Sequence, residues 1–86
     1  MDFVSDAFMA AYDRRNAALN ALAGLQTKCV AADRRGRRLS AEAVVTGYWD
    51  VANANGKREV RLFQKRDQLI AELIAADKEY QALESA

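Results

Sequence analysis

Apolar residues recur with a helical period from the start of the chain. At about 100° per residue, Val4, Phe8, Ala11, Tyr12, Leu19, Leu22, Ala23, Cys29 and Val30 fall on one face, interrupted by Arg15 and Gln26. This predicts a first helix over about 5–32 with one buried side. Ser5 suits the N-cap, Asp6 complements the positive end of the helix dipole, and Val4 and Met9 have the spacing of a hydrophobic staple. Residues 33–39 then read as a basic turn, with Gly36 as a left-handed cap and Arg34, Arg35, Arg37 and Arg38 around it. A second start follows: Ser40 as N-cap, Glu42 in the first turn, Leu39 and Val44 as staple.

Beyond Ser40 two signals conflict. Asn53-Ala54-Asn55-Gly56 is a poor helical stretch, and Asn-Gly is a strong hairpin signal, so a break at 53–56 has a physical cause. Yet counting from Val44, residues Tyr48, Val51, Ala52, Leu62, Phe63, Leu69, Ile70, Leu73 and Tyr80 keep one angular phase across that site. The pattern therefore predicts an all-α protein, a single helical domain over 1–86. Its forms are an antiparallel hairpin with a long C-terminal helix over about 40–84, kinked or straight, or a three-helix bundle. An α+β alternative, with a β-hairpin of 44–51 against 59–64 around Asn55-Gly56, fits the β-branched and aromatic content locally.

A turn near Gly36 sets a register in which Phe8 lies opposite Phe63 and Arg15 approaches Glu59. Charges within apolar stripes must pair or reach water, so Arg15–Glu59 is the expected structural ion pair. The same register leaves Leu69, Ile70, Leu73, Ile74, Tyr80 and Leu83 beyond the end of the first helix. Leu62, Leu69, Ala76 and Leu83, with Leu73 and Tyr80, approach a heptad seam, so a homodimer through this stripe is expected.

Composition removes most catalytic chemistry. The 86 residues include no histidine, no proline and one cysteine. That excludes Ser-His-Asp and Cys-His nucleophile systems, histidine-ligated zinc, an intrachain disulfide and a thiolate metal cage. Glu72 with Glu79, and Asp77 with Glu84, lie on polar faces, and the four glycines form no phosphate-cradling loop. No enzyme activity, cofactor or metal is expected. Cys29 reads as a small buried hydrophobe. The acidic start and lone thiol point to a cytoplasmic protein, and no apolar run is long enough for a membrane span.

The net charge of +1 hides segregation: residues 28–38 and 57–66 each sum to +4, while both ends are acidic. Four guanidinium groups at Arg34, Arg35, Arg37 and Arg38 suit carboxylates on an acidic protein partner or, as the runner-up, nucleic-acid phosphates. Trp49 reads either as a core residue or as a partly exposed anchor for a partner. The candidate partner-binding residues are thus these four arginines with Trp49, Leu69, Leu73, Tyr80 and Leu83. The expected function is non-enzymatic protein–protein binding, as an adaptor, inhibitor or assembly component. Small motif-free helical proteins of this kind are common among phage and mobile-element products, including inhibitors of host systems.

Overall fold

The computed structural model describes residues 5–85. Two helices, α1 (Asp6–Thr46) and α2 (Asp50–Ser85), pack antiparallel into a rod of 69 × 17 × 15 Å. There is no strand among the described residues, so the β-hairpin alternative is overturned, as is the three-helix bundle. The Ser5 cap forms as expected: its Oγ accepts from the Phe8 N–H at 3.1 Å. Val4, the proposed staple partner of Met9, lies outside the described residues.

The turn is not at 33–39. Asp33 to Leu39 are helical throughout, and the chain reverses at Gly47, the one described residue with positive φ (77°). Its N–H donates to the Ala43 carbonyl at 2.8 Å, and the Tyr48 N–H donates to Thr46 Oγ1 at 3.2 Å. The physical reason lies in propensity. Arginine and leucine are strong helix formers, and a single Gly36 costs only about 1 kcal/mol. Val44-Val45-Thr46-Gly47-Tyr48-Trp49 is a run of weak formers ending on the residue that tolerates the left-handed conformation. Ser40 is accordingly an exposed residue inside α1 rather than a cap.

The residues facing the partner helix follow a strict alternation of three and four. On α1 they are Phe8, Ala11, Arg15, Ala18, Leu22, Leu25, Cys29, Ala32, Gly36, Leu39 and Ala43; on α2, Ala52, Asn55, Glu59, Leu62, Arg66, Leu69, Leu73, Ala76, Tyr80 and Leu83. This is heptad spacing, with small residues on α1 letting the backbones approach. Cys29 is 2% exposed, the buried small hydrophobe its setting predicts. The heptad stripe of α2 is therefore half-buried against α1 instead of free for a second chain.

Asn55 explains why 53–56 does not break. It is buried, and its Nδ2 donates to the Ala32 carbonyl at 3.1 Å and to Glu59 Oε1 at 2.8 Å. A residue unfavourable for helix in isolation becomes an interhelical tie that fixes register. Gly36 sits directly against it: a Cβ there would collide with Glu59 Oε1 and come within 3.1 Å of Asn55 Nδ2.

Candidate interaction surface

Moving the turn from 36 to 47 changes every pairing. Arg15 bonds Asp77 through Nε at 2.8 Å, not Glu59, which is held by Asn55. The guanidinium also lies over the Tyr80 ring at 5.3 Å, and Phe8 and Tyr12 pack on that ring at centroid distances of 5.2 and 6.0 Å. Arg14 pairs with Glu79 beside it. The open end of the hairpin is thus closed by two ion pairs and an aromatic cluster. With both helices reaching this end, Leu69, Leu73, Tyr80 and Leu83 have α1 beside them and do not overhang.

The four arginines form no loop. On a continuous helix Arg34, Arg35, Arg37 and Arg38 spread over about 160° of the side facing away from α2. Arg37 pairs with Asp33 at 3.1 Å and Arg38 reaches Glu42 at 4.0 Å, each one turn away along the same helix. Among the described residues Arg34 and Arg35 have no ion pair, and neither do Lys28, Lys57, Arg58, Arg61 or Lys65. The register fixed by Arg14–Glu79, stepped along in sevens, sets Lys28 across from Lys65 and Arg35 across from Arg58. Flanking rows of paired helices ordinarily oppose unlike charges. Here the turn-proximal half opposes like ones, a signal present in the heptad spacing of these cations but hidden by the misplaced turn.

Beyond this basic belt lies an apolar tip. Val45 is 86% exposed, Tyr48 78% and Val44 72%, with Val51 also exposed and Trp49 44% exposed. Trp49 is therefore partly exposed beside the turn and not a core residue. Of the candidate partner residues, the structure gathers Trp49 and the arginines into one half of the rod and places Leu69, Leu73, Tyr80 and Leu83 in the other. Val44, Val45, Tyr48 and Val51 were not among the candidates, because as a mid-helix segment they read as a buried face.

On one side of the open half, a groove of about 540 Å³ runs between the helices, lined by Ala17, Ala21, Leu69 and Glu72 and bridged by the Arg14–Glu79 pair. Its polar lining is Arg14, Glu72 and Glu79. Among the described residues no cluster of acidic or cysteine side chains could hold a metal, and no helix is long and apolar enough to cross a membrane. Comparison with known proteins gives no matching family model, and no curated protein or solved structure matches.

Proposed function

We propose that this chain is a non-enzymatic binding protein whose turn end docks on an acidic surface of another protein, acting as an adaptor, inhibitor or assembly component. The observation that supports this is the apolar tip beside unpaired cations. Val44, Val45, Tyr48, Trp49 and Val51 cluster at the extremity of the rod, and Arg34, Arg35 and Arg58 behind them pair with no carboxylate among the described residues. Burying an aliphatic side chain contributes about 1.5–3 kcal/mol, and Trp, Tyr and Arg dominate interface energetics. The test places a photo-crosslinking amino acid at Tyr48 and identifies what it captures in the native host. Val45→Asp and the Arg34/Arg35/Arg37/Arg38→Ala variant, labelled at the same position, should each lose the captured protein. Capture unchanged by both substitutions would refute the reading.

A second reading has its own support. Opposed like charges at Lys28–Lys65 and Arg35–Arg58 cost stability within the fold, and a polyanion along that face would relieve the repulsion. A nucleic acid bound there would show affinity falling with salt at about 0.7–0.9 log units per phosphate contacted. Fluorescence anisotropy with duplex and single-stranded probes at two salt concentrations decides it, and a flat response removes this reading.

A further inference from the structure

We infer that a second copy of this chain covers one broad side of the hairpin, and that the two copies lie antiparallel. The side is the one on which the Arg15–Asp77 pair sits. Stepping along the helices from that pair places Leu19 beside Ile74, Ala23 beside Ile70 and Val30 beside Phe63, with the polar Gln26 and Asp67 between the last two layers. Phe63 and Val30 line one shared groove there. Leu19, Val30, Ile70 and Ile74 are all exposed, as are Tyr12 and Met9 on the same side. The apolar stripe of α1 is wider than one partner helix can cover.

Area gives the size of what is missing. The chain exposes 6550 Å², whereas a compact monomer of 9.5 kDa is expected to expose about 5000 Å². No large side chain is fully buried. Covering the excess of roughly 1500 Å² on each of two copies gives an interface of about 3000 Å², within the range of permanent homodimers. A four-helix arrangement supplies that area with the helices already present.

Charge selects the direction. Residues 28–66, the turn-proximal half, carry a net +6, and the remainder of the chain carries −5. Parallel copies would set +6 beside +6, whereas antiparallel copies set each basic half against an acidic one. An axis level with Gly24–Leu25 on α1 and Gln68–Leu69 on α2 lays the Leu19–Ile74 layer of one copy on the Val30–Phe63 layer of the other. It also brings Asp77 toward the other copy's Arg34 and Arg37. The two apolar tips then point to opposite ends.

Sedimentation equilibrium on the full chain should give about 19 kDa, twice the 9.5 kDa chain mass. Leu19→Glu and Ile70→Glu, each placing an unpaired charge in the interface, should raise the dimer dissociation constant at least about 100-fold while helical circular dichroism persists. Direction is read from a spin label at Thr46→Cys in a Cys29→Ala background. Antiparallel copies put the labels roughly 60 Å apart, about the length of α1 at 1.5 Å per residue, and parallel copies put them within about 20 Å. A monomer at millimolar concentration, a dimer indifferent to both glutamates, or the short label distance would each overturn the proposal. Should a glutamate variant unfold, the label distance alone decides. The tip reading fails separately, since Tyr48→Asp leaves this interface untouched.

Discussion

Replacing Gly36 with alanine tests the closest approach of the two helices. In an unobstructed helix interior the substitution stabilises by about 1 kcal/mol, since alanine loses less backbone freedom on folding. Gly24 is such a site, with nothing within 4 Å of an added Cβ. At Gly36 the same methyl displaces the Glu59 carboxylate, which accepts from Asn55 Nδ2 at 2.8 Å. A hydrogen bond to a charged group contributes about 1.5–3 kcal/mol. Gly36→Ala should therefore destabilise by about 0.5–2 kcal/mol, while Gly24→Ala stabilises by about 1 kcal/mol. In a Glu59→Ala background only the Asn55 amide remains near the methyl, at 3.1 Å, and Gly36→Ala should turn stabilising by about 0.5 kcal/mol. Urea unfolding followed by circular dichroism, at fixed protein concentration because association adds to apparent stability, measures all three values. If Gly36→Ala stabilises the wild type as much as Gly24→Ala does, the helices do not meet closely there and the register argument fails.

Three further outcomes follow from the same geometry. Gly47→Ala should cost about 1–2 kcal/mol, the penalty of a left-handed backbone for a residue with a Cβ, and unchanged urea stability would place the turn elsewhere. A double-mutant cycle on Arg15 and Asp77, side chains about one-third exposed, should give a coupling of about 0.5–1 kcal/mol, whereas a cycle on Arg15 and Glu59 should give none. Val45→Asp and Tyr48→Asp should shift unfolding stability by less than about 0.5 kcal/mol, because these side chains stand in solvent; a large loss would mean that the tip is packed.

Helix content and antiparallel pairing were legible because apolar spacing reports them directly. Ser5, Cys29 and the continuity of phase through 53–56 all came from local pattern. The turn position did not. Gly36 and Gly47 are both glycines near chain segments with helix-start signals, and the arginines around Gly36 resemble a polar loop. What separates them is tertiary: Gly36 is needed where α1 touches Asn55 and Glu59, and that contact exists only once α2 is in place. Every pair assignment inherits the turn, so one misplaced reversal moved the partner of Arg15 from Glu59 to Asp77. It also recast the stripe from Leu69 to Leu83 as an internal seam. The apolar tip was illegible for the same reason, since Val44, Val45 and Tyr48 have the composition of a buried face.

The left-handed residue at Gly47 also orders events in time. Asn55 and Ala32 are 23 residues apart, whereas Arg15 and Asp77 are 62 apart. Closing the longer loop first would cost about 0.9 kcal/mol more in chain entropy. Chain entropy therefore favours pairing that starts beside the reversal, each new layer shortening the loop the next must close. On that order, Gly47→Ala should mainly slow folding and Arg15→Ala or Asp77→Ala should mainly speed unfolding, which stopped-flow circular dichroism in urea would read directly. The ion pairs and aromatic cluster at the open end thus sit where chain connectivity helps least.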